Sequence, residues 1–397
     1  MRDALGPFVL PEAERASVVE LRRDLHRHPE PAFREERTAG VVMRELRAMG
    51  VQPEPMGGTG VVAVLDSGRP GRTVLLRADL DALPVQEQAT HGYASTVPGC
   101  MHACGHDGHT AMLLAAARRL AATRDQWAGR VAFVFQPAEE VGQGMRVLLA
   151  DGLLERVAPD VAFGLHLWTG SPSGACSVLP GAVMAAADEL QIRVIGRGGH
   201  GAIPHLSRDP VVAAAQMIVA LQTVVSRTID PLQTVVLSVC QVAAGSAPNV
   251  IPSEATLAAT LRTFEPEVRT VAHAAIERVL KGVAAANDTA VELTVVPHVP
   301  PVVNHPDVAR EVSACVAEVE GLSEPAPGLR IMASEDMAEL LARVPGAFLF
   351  LGCGDAAKGT TAPHHHPAFD VDERVLPLGA ELLARVACRL AAAAPMG

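Results

Sequence analysis

Glu189-Leu-Gln-Ile-Arg-Val-Ile195 alternates apolar and polar residues as a half-buried strand does, and the elements after it decide the fold. A helical stretch over 209–226 comes next, then strand-type runs at 234–242 and 255–263. A second helix over 266–286 and a last strand at 290–296 complete the series. The order β-α-β-β-α-β is that of a ferredoxin-like split unit, which closes its own sheet and needs no outside strand. Whatever flanks it must therefore be two parts of a different body.

Upstream, the pattern changes at Leu179-Pro180-Gly181. Residues 61–66 and 73–79 read as adjacent strands, 111–123 as a helix, 130–135 and 160–167 as strands, with a helix near 141–150. Downstream of Pro297, helices are expected near 306–320 and 335–342, a strand at 347–351 and a closing helix over 372–393. Strand–helix alternation predicts an α/β sheet with helices on both faces. The expected organisation is a discontinuous main domain over 1–182 and 297–397, interrupted by an α+β domain over 183–296.

With 397 residues, 49% hydrophobic and 19% charged, the chain has material for two cored domains, which excludes intrinsic disorder. Aromatics make up only 3%, with two Trp and one Tyr, so base-stacking surfaces are not expected. A net charge of −11 argues against nucleic acid or an anionic membrane as partner. No uninterrupted apolar run approaches the roughly 20 residues of a membrane span. The first fifteen residues, MRDALGPFVLPEAER, are too charged for a secretory signal. Seven cysteines, an odd and scattered set, fit reduced thiols in a cytoplasmic protein.

Five segments concentrate chemistry that a plain core does not need. Arg77-Ala-Asp79-Leu-Asp81-Ala-Leu-Pro84 lies at a strand's C-terminal end, where open α/β sheets build sites. Cys100-Met-His102-Ala-Cys104-Gly-His106-Asp107-Gly-His109 packs thiol, imidazole and carboxylate donors into ten residues, the mixture that zinc-type ions favour. Gln136-Pro137-Ala138-Glu139-Glu140 offers two adjacent carboxylates, one able to hold a metal while the other carries protons. Gly164-Leu-His166-Leu-Trp168 is another strand end. Ala362-Pro-His364-His365-His366-Pro367-Ala-Phe-Asp370 sets three histidines on a proline-bounded loop, not all of which can face one ion.

These segments, in this order, resemble the dinuclear metal-dependent aminoacylase/carboxypeptidase family of peptidases. The similar branch holds hippurate hydrolase, indoleacetyl-amino-acid hydrolases and N-acyl-amino-acid deacetylases. Leu25-His26-Arg27-His28-Pro29-Glu30 and Ser334-Glu335-Asp336 fit as well, so the match spans residues 20 to 390. The resemblance implies a mixed-sheet metallopeptidase-like catalytic domain and an inserted lid and dimerisation domain. It implies that Cys104, His106, Glu140, His166 and His365 hold two divalent metal ions per subunit, Zn or Mn first, Co or Ni also tolerated. His365 is preferred because the family's ligand stands two residues before Pro367. Glu139 takes the role of general base toward a water bridging the metals, and Asp81 that of an orienting residue. Asp79 stands where other branches have a histidine ligand.

In the insert, the resemblance assigns carbonyl polarisation to His200, with His205 second, and α-carboxylate binding to Asn249 and Arg262, whose planar fork suits a carboxylate. It further implies a homodimer, and a lid that closes on substrate. The family's glycine-rich run after the Glu pair is here Val141-Gly-Gln-Gly144, a departure expected to alter only the wall of the acyl pocket. The implied activity is hydrolysis of N-acyl-L-amino acids of N-acetyl or N-benzoyl type. The alternatives are a metallo-carboxypeptidase or dipeptidase, a cysteine hydrolase using Cys104 and His106, and an inactive metal-binding relative.

Overall fold

The computed structural model describes residues 10–89, 91–324 and 328–393. The chain forms two compact units. One comprises Met1–Val183, Val303–Leu329 and Asp336–Gly397; the other comprises Met184–Val302 with Arg330–Glu335.

The first unit is built on a seven-stranded mixed sheet. Its spatial order is Pro53–Met56, Gly60–Asp66, Arg130–Gln136, Thr73–Asp79, Val161–Pro172, Gly346–Gly354, Cys176–Ser177. The four strands from Arg130–Gln136 to Gly346–Gly354 run parallel, while the flanking ones are antiparallel. The expectation that 61–66 and 73–79 are adjacent is thus corrected, because Arg130–Gln136 lies between them. Burial explains the choice. All seven residues of Thr73–Asp79 are buried, as a strand covered on both faces must be, whereas Gly60–Asp66 ends exposed at Asp66.

Helices Glu12–Arg27 and Glu36–Ala48, which sequence reading did not single out, pack with His106–Ala122 and Val375–Ala392 around this sheet. His106–Ala122 begins five residues before the expected start at 111. Gly105, at φ 92°, turns the chain so that His106, Asp107 and His109 form the first helical turn. Val375–Ala392 is nearly buried throughout, which its Leu/Ala/Val run supports.

The second unit has a four-stranded antiparallel sheet in the order Val235–Ala244, Glu254–Thr263, Ala186–Ile195, Ala290–Val299. With helices Pro210–Thr223 and Pro266–Ala286 this is the ferredoxin-like arrangement read from the sequence. The expected boundary at 296/297 falls inside a strand. Pro297 and Val299 still pair with Asp188 and Ala187, the register shifting at His298 just after the proline, so the unit runs on to Val302. Residues 330–335, placed by sequence in the main domain, join this unit: Ala185 N–H donates to the Ala333 carbonyl (3.0 Å).

Among the described residues one helix, Pro210–Thr228, is long and apolar enough to cross a membrane by length and composition alone. In the fold Ala213, Ala214, Met217 and Leu221 bury its inner face in the core under the sheet.

Candidate active site

Parallel strands bring their C-terminal ends to one edge. The segments at Asp79 and Gln136 follow two of those ends, whereas His166 lies inside Val161–Pro172, which runs on past the strand end expected at 167. Arg77, on the buried strand Thr73–Asp79, donates to Asp79 (2.7 Å), to the Gln136 amide oxygen (2.9 Å) and to Asp336 (3.3 Å). Gln136 in turn donates to Asp336 (2.5 Å), whose other oxygen accepts from Met145 N–H (3.0 Å). The strand ends are therefore locked to one another by a closed polar set before any ligand is considered.

The next shell fixes imidazole tautomers. His106 Nδ1 donates to the Asp81 carbonyl (2.9 Å), so its Nε2 carries the lone pair. That Nε2 is buried without a hydrogen-bond partner, 3.6 Å from Asp79 Oδ2, 3.8 Å from Glu140 Oε1 and 3.9 Å from Glu139 Oε2. His166 Nδ1 donates to the Leu167 carbonyl (2.6 Å), leaving Nε2 3.5 Å from Cys104 Sγ. His365 Nε2 lies 3.4 Å from Glu140 Oε2. Lone pairs, a thiol and carboxylate oxygens converge at distances too long for most hydrogen bonds and suited to shared cations.

Donor groups within 4.8 Å of one another are Cys104/His106/His166, Cys104/Glu140/His365, His106/Glu139/Glu140 and Asp79/His106/His109. All five predicted ligands thus fall in one connected cluster. The donor chemistry fits divalent ions, and the orphaned atoms His106 Nε2 and Glu140 Oε1 are the buried positions such ions would satisfy.

Charge states agree. Burial, and then the Glu140 charge, push the Cys104 thiol well above its usual value. Burial likewise raises Glu140 to about 7, against the opposing pull of His106. Each would ionise fully only beside more positive charge than His106 supplies. Burial also works against the Asp79 carboxylate, yet His106, His109 and Arg77 together hold it well below the usual range.

The Glu139–Glu140 turn is held by two carboxylates. Asp81 Oδ1 accepts from Glu139 N–H and Oδ2 from Glu140 N–H, both at 3.0 Å. Glu35, wholly buried, accepts from Ala138 N–H (2.8 Å), where the backbone adopts φ 53°. Gly144 closes the turn: a Cβ there would stand 1.6 Å from the Pro137 carbonyl oxygen. The Val141–Gly144 departure, expected to touch only a pocket wall, therefore also sets the turn that carries Glu139.

The three loop histidines divide their work. His364 Nε2 donates to the Leu167 carbonyl (2.9 Å) and its ring stacks on Trp168 at 4.3 Å, and burial lowers it to about 4. His366 Nδ1 accepts from Ala368 N–H (3.0 Å). His365, at φ 65°, donates its own N–H to the Ala103 carbonyl (2.8 Å) and points its ring to Glu140.

Of the residues assigned to the insert, His200 and Asn249 line one cavity of about 520 Å³ with Gly198 and Val250–Ser253. His200 Nδ1 accepts from Ala202 N–H (3.0 Å). His205 is exposed on the turn Pro204–Leu206. Arg262 is not among that cavity's lining residues and donates to Ser334 Oγ (2.8 Å).

Sequence reading missed Glu35, Gln136 as a lock, and His109, whose Nδ1 donates to Asp79 (2.6 Å) while its Nε2 accepts from Leu167 N–H (2.9 Å). His109 was in plain view within the Cys-Gly-His-Asp-Gly-His segment. A buried acid such as Glu35 gives no signal of its own in a helix-type stretch.

A metal-donor cluster of this kind at the strand ends of an α/β unit marks a hydrolase. The chain belongs to peptidase family M20/M25/M40, whose model matches residues 75–389. It is 43% identical over 293 residues to the N-acyl-L-amino acid amidohydrolase of Geobacillus stearothermophilus, covering 73% of this chain and 79% of that one. It is 36% identical over 368 residues to thermostable carboxypeptidase 1 of Saccharolobus solfataricus, covering 91% and 92%. Among solved structures, Bacillus subtilis YXEP, described as a dinuclear metal-binding peptidase of the M20 family, matches with a TM-score of 0.85 and 33% identity over 96% and 99% of the two chains.

Proposed function

We propose that this enzyme hydrolyses the amide bond of N-acyl-L-amino acids, of N-acetyl or N-benzoyl type, to a carboxylate and a free amino acid. The carrying observation is Glu139, whose Oε2 lies 3.9 Å from His106 Nε2 within the connected donor cluster. Cys104, His106, Glu140, His166 and His365 would hold two divalent ions, Zn or Mn, with Co and Ni compatible with the same donors. Such ions, when bound, make water nucleophilic at neutral pH and polarise an amide carbonyl. Glu139 accepts the proton of the attacking water at its carboxylate and delivers it to the departing amine. Asp81 keeps that carboxylate in place through the two backbone N–H groups it binds. Trp168 and His364, stacked and partly exposed, suit an apolar acyl wall. His200, Asn249, Arg262 and His205 are proposed to engage the substrate's carbonyl and α-carboxylate. A cysteine-nucleophile mechanism fits poorly, since a nucleophilic thiol needs a lowered pKa and Cys104 has the reverse.

Further parts of the reading are a homodimer and a cytoplasmic location. Edge strand Val235–Ala244 is exposed from Cys240 onward, and Val211, Val212, Val219, Val242 and Val250 are exposed in the same unit. All seven cysteines are free, which suits a reducing compartment.

The test is amine release from a panel of N-acyl amino acids and dipeptides, with metal-loaded chain, chelator-stripped chain and Glu139→Gln. Loss of release by about a hundredfold to ten-thousandfold in Glu139→Gln, with metal content unchanged, is the expected result. Turnover that survives both the chelator and the substitution removes the reading. The relative named a carboxypeptidase favours a second reading, and faster turnover of dipeptides than of acyl amino acids would select it.

A further inference from the structure

Helix Glu12–Arg27 and residues 85–89 and 91–97 hold a second group of titratable side chains that the proposed reaction does not use. His26 is fully buried, Glu87 nearly so, and His91 stacks on Tyr93 with ring centroids 3.7 Å apart. His26 Nε2 and His91 Nε2 each lie 3.3 Å from the same oxygen, Glu87 Oε1. Their three donor atoms are within 4.8 Å of one another.

We propose that His26, Glu87 and His91 form a further metal site, for a single zinc-type divalent ion, separate from the five ligands assigned above. Geometry is the first support. Metal–ligand bonds of about 2.0–2.1 Å in a tetrahedral site put ligand atoms about 3.3–3.4 Å apart, the spacing seen on both sides of Glu87 Oε1. The second support is the partner of the other ring nitrogen. His26 Nδ1 lies 2.8 Å from Asp107 Oδ2, the carboxylate–histidine arrangement that orients a ligating imidazole. With Nδ1–H donating there, Nε2 faces Glu87 Oε1 at 3.3 Å, a contact that either a proton or a cation on Nε2 satisfies.

At His26 a proton suffices: burial and the Arg22 guanidinium 3.4 Å from Nδ1 oppose it, but Asp107 and Glu87 outweigh them and raise the imidazole above its usual value. That proton still leaves His91, both of whose ring nitrogens are buried without a hydrogen-bond partner. One divalent ion satisfies both imidazoles and the carboxylate together.

Local charge agrees. Glu87, Asp107, Asp370 and Glu373 supply four carboxylates in this network, and Arg22 and Arg23 two guanidiniums, leaving two negative charges uncompensated by them. Asp370, whose Oδ2 accepts from Tyr93 and lies 3.8 Å from His91 Nε2, or a water completes the coordination. The ion's task is structural. It ties Glu87 and His91 to helix Glu12–Arg27 and thereby to Asp107, the neighbour of His106.

The experiment counts zinc in the full-length chain after loading and exhaustive dialysis. Native protein is expected to hold one more ion per chain than His91→Ala or Glu87→Gln, with circular dichroism confirming that the variants are folded. A Glu140→Gln/His365→Ala double variant, emptied at the proposed active site, is expected to keep an ion that the added His91→Ala removes. Cobalt substitution separates the two readings, since a thiolate-to-cobalt band reports Cys104 and the His91-dependent ion gives only ligand-field bands. Equal zinc content in native protein and both folded single variants overturns the third site, whatever the thiolate band shows. A missing thiolate band with a retained His91-dependent ion overturns only the dinuclear assignment.

Discussion

Burial raises Glu140 and Cys104, and both must give up any proton they carry to hold a cation. Metal loading therefore releases protons. With the Cys104 thiol well above its usual value and Glu140 raised to about 7, affinity is expected to fall with pH already across the neutral range, and more steeply below about 7 where Glu140 also takes up a proton. Calorimetry in buffers of different ionisation enthalpy will read that proton release, and a pH-independent affinity would contradict it. Asp81 makes a second residue-scale case. Asn has one acceptor oxygen where Asp81 uses two, so Asp81→Asn frees one backbone N–H of the Glu139–Glu140 turn. A tenfold to hundredfold weaker metal affinity is expected, with circular dichroism unchanged. At this scale the sequence was readable where donors crowd: Cys104 and His106, from the ten-residue run 100–109, stand in one donor group, which the lone His166 of a distant strand joins. It was silent where one buried polar atom acts alone, as Glu35 does at Ala138.

Elements show why the remainder was hidden. The turn after strand Arg130–Gln136 reads as a carboxylate pair followed by a helix near 141–150, but helix Gly144–Ala150 starts only after Gly144 has passed the Pro137 carbonyl. Gly144→Ala is expected to cost about 2 kcal/mol or more, and to lower turnover more than metal content, because Glu139 rides on that turn. Thermal unfolding with activity and metal analysis on one sample will check both. Strand neighbours were equally illegible, since pairing of 73–79 with 130–136 and 161–172 is settled by burial across distant segments, not by local pattern. In the insert the alternation was strong, and all four strands and both helices lie where expected, apart from the strand that Pro297 failed to stop.

The second unit carries an acid response of its own. Burial raises the Asp188 carboxyl, but His273 and Arg269 outweigh it and hold the group below the usual carboxylate range. A lowered folded-state pKa stabilises the second unit above the unfolded value of about 3.9, and that contribution is lost as pH falls through the folded one. Asp188→Asn is expected to lower the melting temperature near pH 7, with the gap to the native protein closing in strong acid. A gap that persists there would trace to packing instead. Charge at the exposed edge strand gives the companion test of the proposed homodimer: if that strand forms its interface, Val242→Lys is expected to sediment as a monomer where the native chain sediments as a dimer.

The sheet of the first unit has a history in time as well as a shape. Strand Val161–Pro172 waits for Gly346–Gly354, which lies some 170 residues later in the chain. At about 5–20 residues per second, a ribosome takes roughly 10–35 s to deliver it. Throughout that interval the nascent sheet shows a bare hydrophobic edge, while the insert emerges with all of its own strands and can fold at once. Holding chaperones should therefore engage chains stalled before residue 346 and release those that have passed 354, making the insertion point a feature of biosynthesis as much as of architecture.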